Sequence, residues 1–196
     1  MAYLEGKNLV ASYGIVPILH ECSVEVEKGE LAVIVGPNGA GKSTVMRVLL
    51  GMLNATSGSV SLDGRDISAL STQDRISEGL AFVPQTKNVF PSMTVEENLQ
   101  MGGFIRQDDI NQTIEEVYSL FPILYEKRKQ LAEQLSGGQR QQVAFGRAMM
   151  TKPSIMLLDE PTAGVSPIVM DEIFSNILDV RNAGMAVLMV EQNAQQ

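Results

Sequence analysis

One cysteine and one histidine stand in 196 residues, and each scarcity removes a class of chemistry. Cys22 has no partner for an internal disulfide and reads as strand packing, while His20 alone offers no His/Cys cluster for a transition metal. Long apolar runs are missing too. Leu31 to Val35, Ile155 to Leu158 and Met185 to Val190 are strand-sized, far short of the roughly 20 residues of a membrane helix, so the chain forms no membrane pathway by itself. Its first residues, Met1-Ala2-Tyr3-Leu4-Glu5, lack the basic segment and apolar core of a secretory signal, and a cytoplasmic location is expected. Basic residues are outnumbered: 15 Lys and Arg against 23 Asp and Glu give a net charge of −8, which disfavours nonspecific binding to nucleic acid or anionic membrane. The short run Glu126-Lys127-Arg128-Lys129 reads as a solvated helix face. There are no repeats or low-complexity segments, and the length suits a single domain over residues 1–196.

What is present is a phosphate loop. Gly36-Pro37-Asn38-Gly39-Ala40-Gly41-Lys42-Ser43 follows the apolar run Leu31 to Val35, with Thr44 opening the helical pattern behind it. The glycines let the backbone fold around phosphates, so that successive N–H groups and the N-terminus of the next helix point at the anion. Lys42 adds a point charge and Ser43 a Mg²⁺ ligand, so a nucleoside triphosphate is the expected ligand.

The order of elements supports an α/β reading. Tyr3 to Val10 and Ser23 to Glu27 alternate as strands, an antiparallel start feeding a parallel core. Val45, Met46, Val48, Leu49 and Leu50 keep a helical period that Gly51 stops. A strand over Ser59 to Leu62, a helix from Ser71 to Gly79 and a buried strand Leu80 to Val83 follow. Between Pro91 and Met150 only helices are expected, opened by the capping-box pair Thr94 and Glu97, which marks an inserted helical lobe over about residues 91–150. Strand, helix (Ser166 to Asn182, Pro167 at its first position) and strand then restore the β-α-β rhythm, with Gly184 as the helix stop.

A second signature is Ile155-Met156-Leu157-Leu158-Asp159-Glu160, whose carboxylates emerge where ligands bind in open α/β sheets. Asp159 suits Mg²⁺, and Glu160 suits orienting the attacking water. A third, Leu135-Ser136-Gly137-Gly138-Gln139, presents bare N–H groups at a helix start and forms a second anion site. Together these motifs closely resemble the ATP-binding cassette family, the ATPase subunits of membrane transporters, over nearly the whole chain. The resemblance implies a phosphate-loop NTPase core with an N-terminal antiparallel β lobe, ATP and Mg²⁺ as ligands, and head-to-tail pairing with a second cassette. In that pairing Ser136, Gly137, Gly138 and Gln139 contact the partner's ATP. It further implies that Gln85 reaches Mg²⁺ and the attacking water, that Tyr13 stacks on adenine, and that Lys42, Glu160 and Gln192 serve hydrolysis. Phe90-Pro91-Ser92-Met93 lies where such subunits receive the coupling helix of a membrane permease, burial in the lobe being the alternative.

Two positions depart from the family pattern. Val190-Glu191-Gln192-Asn193 places Gln192 where most cassettes carry a histidine, and Ser166 stands where aspartate is usual. Both departures resemble branched-chain amino-acid importers, with urea or amide importers close behind; such systems imply permease subunits, a periplasmic solute-binding protein and a peripheral place on the inner membrane face. The family also implies further sheet and helix beyond Gln196, as in a truncated chain. The alternatives are a cytosolic scaffold or nucleic-acid-associated cassette ATPase, disfavoured by the single cassette and the acidic balance, and a phosphotransferase, disfavoured by the signature pentapeptide.

Overall fold

The computed structural model describes residues 2–192. Asn193, the end of the Glu-Gln-Asn run, lies outside the described residues. Strands β1 (Leu4–Tyr13), β2 (Val16–Val26), β4 (Ser57–Leu62) and β5 (Arg65–Asp66) form an antiparallel sheet in the order β2-β1-β4-β5. The other sheet is parallel, in the order β3-β8-β7-β6, from β3 (Leu31–Val35), β6 (Leu80–Val83), β7 (Ile155–Asp159) and β8 (Ala186–Glu191).

Side chains alternate across β7 and β8, and this alternation divides the interior in two. Met156, Leu158, Val187 and Met189 enter one core, packed mostly by helices; Ile155, Leu157, Ala186, Leu188 and Val190 enter the other, between this sheet and the antiparallel one. Burial on both faces explains why the two strands read as unbroken apolar runs. The strand before the phosphate loop behaves differently. It is an edge strand, and Val33 and Val35 remain 43% and 44% exposed while Ala32 and Ile34 on the other face are half-buried, although the apolar run Leu31 to Val35 would suit a fully buried strand. Apolar content alone does not distinguish a central strand from an edge.

The first two strands run well past their expected ends and form one hairpin, turning at Gly14 with φ +60°. Their regular alternation is broken by register shifts after Gly6 and by left-handed backbone at Asn8 and Glu21, which hid their length from a period-2 reading. The two-residue strand β5 was likewise unforeseen. Cys22 is half-buried in β2, against the second core.

Helix α1 (Lys42–Leu49) buries Val45, Met46, Val48 and Leu49 in that core, each contributing roughly 1.5–3 kcal/mol of hydrophobic stabilisation before entropy is counted. Gly51, at φ +72°, follows its last turn. Helix α2 (Thr72–Ser77) is capped by the Ser71 hydroxyl, which accepts from Asp74 N at 3.2 Å. Between β6 and β7 the named elements are helices, α3 (Val95–Gly102), α4 (Asn111–Leu120), α5 (Pro122–Glu126), a 3-10 turn and α6 (Gly137–Met149), with one isolated antiparallel bridge between Thr94 and Leu131. Thr94 and Glu97 form the capping box at the start of α3. Helices α3 and α6 pack closely because Gly102 faces the Arg147 carbonyl and Gly146 faces Val117 and Leu99. Helix α7 (Pro167–Asn182) and Gly184, at φ +98°, lead into β8.

The helix-face reading of Glu126 to Lys129 is corrected: α5 ends at Glu126, and the guanidinium of Arg128 folds back over the Tyr125 ring at 4.2 Å. Phe90 is 39% exposed under the Arg147 guanidinium, and Met93 is half-buried. Among the described residues no helix is long and apolar enough to cross a membrane.

Candidate nucleotide site

Parallel registry brings three strand ends together. Val35 pairs with Glu191 and Asp159 with Val190, so the phosphate loop, the carboxylates at and just after the end of β7 and the end of β8 share one sheet edge. The loop turns through Gly39 and Gly41 at φ +83° and +91°, which place the chain for α1 to begin at Lys42. Lys42 is 6% exposed; its Nζ donates to Gly36 O (2.7 Å) and Pro37 O (3.1 Å) and lies 3.5 Å from Glu160 Oε1. Pro37, Asn38, Gly39 and Ala40 are exposed, Ser43 is half-buried and Thr44 is buried. A cleft of about 330 Å³ opens between the loop and Glu160, with Ile18 of β2 on its wall.

Ser43 Oγ donates to Asp159 Oδ1 at 3.0 Å. This pair presents a hydroxyl and a carboxylate oxygen together, the hard oxygen donors that Mg²⁺ prefers. Among the described residues no group of three or more His, Cys, Asp and Glu could hold a metal alone. Magnesium would therefore complete its shell with phosphate oxygens and water, as it commonly does. Gln85, exposed after β6, donates from Nε2 to Glu160 Oε2 at 3.3 Å, so Glu160 sits between an amide and the Lys42 ammonium. Glu160 has left-handed backbone, φ +44°, held by its N–H donating to Val190 O at 3.0 Å.

The remaining residues expected at the site occupy separate places. Ser136 is the N-cap of α6; its hydroxyl accepts from Gln139 N (3.2 Å) and Gln139 Oε1 accepts from Ser136 N (3.2 Å). Gln139 thus closes the helix start, which leaves Gly137 and the cleft beside Ser136 and Gly138 as the open face. That cleft, which the Glu172 carboxylate also lines, and the one at the phosphate loop share no residue, so within one chain the two are separate. Tyr13, 42% exposed at the end of β1, accepts a hydrogen bond from Arg47 Nη1 at 3.0 Å. Gln192 is exposed just after β8, and Ser166 holds the N-cap position of α7 with no side-chain bond to the helix.

The model of the family described as ABC transporter matches residues 19–163. The chain belongs to that family. As an ABC ATPase it binds and hydrolyses ATP, and it is similar to ATPases that power transport through membrane permeases. It is 45% identical over 185 residues to the high-affinity branched-chain amino acid transport ATP-binding protein BraG of Pseudomonas aeruginosa, covering 94% of this chain and 79% of the relative. Identity is 38% to a probable branched-chain amino acid transport ATP-binding protein, LivF, of Archaeoglobus fulgidus, covering 96% and 81%, and 36% to the lipopolysaccharide export ATP-binding protein LptB of Haemophilus influenzae, covering 100% and 83%. The crystal structure of the ADP conformation of MJ1267, an ATP-binding cassette of an ABC transporter, superposes with a TM-score of 0.89 at 31% identity, covering 100% of this chain and 83% of that one.

Two features of this ABC ATPase escaped the sequence reading. Arg47, five residues after Lys42, supports Tyr13 across a gap of 34 residues. Glu191, 8% exposed, accepts from Thr162 Oγ1 (2.7 Å) and Thr162 N (3.2 Å). A carboxylate ending a buried strand on the ligand edge was the available signal for Glu191; nothing in the sequence links Arg47 to Tyr13.

Proposed function

We propose that this ABC ATPase uses Mg-ATP hydrolysis to drive import of branched-chain amino acids. The 45% identity to BraG over nearly the whole chain carries the choice of solute. In this reading the phosphate loop and Lys42 hold the β- and γ-phosphates, and the N–H groups from Gly36 to Thr44 line them. Ser43 and Asp159 hold Mg²⁺, with Gln85 beside it, and Mg²⁺ supplies charge neutralisation between the phosphates. Glu160 orients the attacking water, Gln192 donates an amide hydrogen to the γ-phosphate, and Tyr13 offers its ring to adenine. Neither anion face encloses a nucleotide by itself. Ser136, Gly137 and Gly138 therefore serve the ATP of a second cassette, and closure of the pair around two nucleotides moves the permease subunits.

The chain then sits peripherally on the inner face of the membrane, receives its solute signal indirectly from a periplasmic binding protein, and has no nucleic-acid partner. A second reading, lipopolysaccharide export, draws on the LptB relative at 36% identity. Reconstitution with the neighbouring permease subunits and solute-binding protein in proteoliposomes separates the two. Leucine, isoleucine or valine bound to the solute-binding protein should raise phosphate release; indifference to these solutes would overturn the import assignment.

A further inference from the structure

Glu191 is a buried carboxylate with no part in the hydrolysis described above, yet it touches both halves of the site. Its backbone carbonyl accepts from Gly36 N at 3.3 Å, which anchors the first residue of the phosphate loop. Its Oε1 accepts both Thr162 N and Thr162 Oγ1, two residues beyond Glu160. Between these contacts lies the left-handed residue Glu160, and such backbone costs of order 1–3 kcal/mol unless its surroundings hold it. The turn is closed by Ala163 N donating to Glu160 O at 3.1 Å, while Pro161 and Thr162 are buried and leave the chain little room to relax.

We propose that Glu191 is a positioning residue for the hydrolytic carboxylate. Through Thr162 it fixes the turn that aims Glu160 at Gln85 and Lys42, and through its own carbonyl it ties that turn to the phosphate loop. Both hydrogen bonds to Thr162 are buried and converge on one carboxyl oxygen, so the pair is stronger than an exposed equivalent. The turn also leads into Ala163 to Ser166 and then α7, so the same clamp sets where that loop leaves the site. This inference rests on the reading of Glu160 as the residue that orients water.

The test compares Glu191→Ala, Glu191→Gln, Thr162→Val and the double change Glu191→Ala/Thr162→Val, with Glu160→Gln alongside. For each, phosphate release gives kcat and KM, a fluorescent ATP analogue gives affinity, and thermal unfolding gives Tm. Misplacing a reacting group by about 1 Å costs roughly a hundredfold, so Glu191→Ala should lower kcat ten- to a hundredfold while KM and affinity change less than about threefold. Glu191→Gln keeps a carbonyl oxygen for Thr162 and should restore most of kcat. The double variant should be no slower than Glu191→Ala, since Thr162→Val removes only the Oγ1 bond that Glu191→Ala already takes away. Wild-type kcat in Glu191→Ala, or multiplicative losses in the double variant, overturns the proposal. If Glu191→Ala does not fold, Thr162→Val, which removes the Oγ1 bond and keeps the backbone N–H bond, should still lower kcat, by a smaller factor, and wild-type kcat there overturns the proposal. Normal turnover by Glu160→Gln would instead overturn the reading of Glu160 on which the inference stands.

Discussion

Arg75→Met should weaken the fold by about 3–4.5 kcal/mol, from three buried carbonyls that each lose a charged donor. Arg75 is 3% exposed, and its guanidinium is spent on backbone carbonyls. Nη1 donates to Val48 O (2.7 Å) and Leu49 O (2.8 Å), Nη2 to Ser68 O (2.8 Å) and Nε to Leu70 O (3.2 Å). Val48 and Leu49 belong to the last turn of α1, so the cation also meets the negative end of that helix. Burial lowers the Arg75 pKa from its ordinary value, with Asp66 opposing the shift, but a guanidinium stays protonated in any ordinary buffer. Methionine fills the stem and removes every donor. Val48 O keeps the Gly51 N–H at 3.0 Å, which leaves the Leu49, Ser68 and Leu70 carbonyls to lose this donor at about 1–1.5 kcal/mol each. Urea unfolding measures the loss as a lower midpoint at unchanged slope; at an ordinary slope of about 1–3 kcal/mol per molar, the midpoint falls by 1 M or more. A loss below about 1 kcal/mol would refute the reasoning, because it would mean the carbonyls find water or other donors as readily as the guanidinium.

Gly102→Ala drives a methyl into the Arg147 carbonyl where α3 meets α6 and should cost about 1–3 kcal/mol, read as a lower Tm; Gly137→Ala, whose nearest neighbour is Val169 Cγ1 at 3.9 Å, should leave Tm within experimental scatter. Hydrogen bonding to Arg106 holds the Asp108 carboxyl down at about 2, below its usual 3.8, so its contribution to stability is present above the usual value and disappears as pH falls toward 2. Asp108→Asn should therefore lower Tm at neutral pH, and the gap from wild type should close in acid; a gap independent of pH contradicts that assignment. Gln192→His gives the γ-phosphate a side chain able to carry positive charge and should accelerate phosphate release in a nucleotide-bound pair, whereas unchanged or slower release would leave glutamine a full replacement.

Elements with strong local chemistry were readable from the chain: Ser71 and Thr94 caps, glycine stops at Gly51 and Gly184, and the strand Leu80–Val83 between turn signals. The antiparallel hairpin was less so, because bulges near Asn8 and Glu21 displace the alternation that a period-2 reading needs. Strand order is a tertiary property, which is why Leu31 to Val35 read as buried although it forms the sheet edge. At the site, motif spacing singled out Lys42, Ser43, Asp159 and Glu160, and the fold brings Ser43 into hydrogen-bonding reach of Asp159 and Lys42 into ion-pair reach of Glu160. Supports that act across the chain were invisible. Arg47 on Tyr13, Glu191 on Thr162 and Arg75 on the end of α1 each join segments whose adjacency only the folded sheet supplies.

Phosphate release and ATP-analogue binding, measured side by side on wild type and Glu160→Gln with Mg²⁺ present, decide whether this cleft is a hydrolytic site built around Glu160. Wild type should release phosphate without any added acceptor, and Glu160→Gln should bind nucleotide as tightly while turnover falls by about two powers of ten or more. Undiminished phosphate release by Glu160→Gln would contradict the mechanism at its centre.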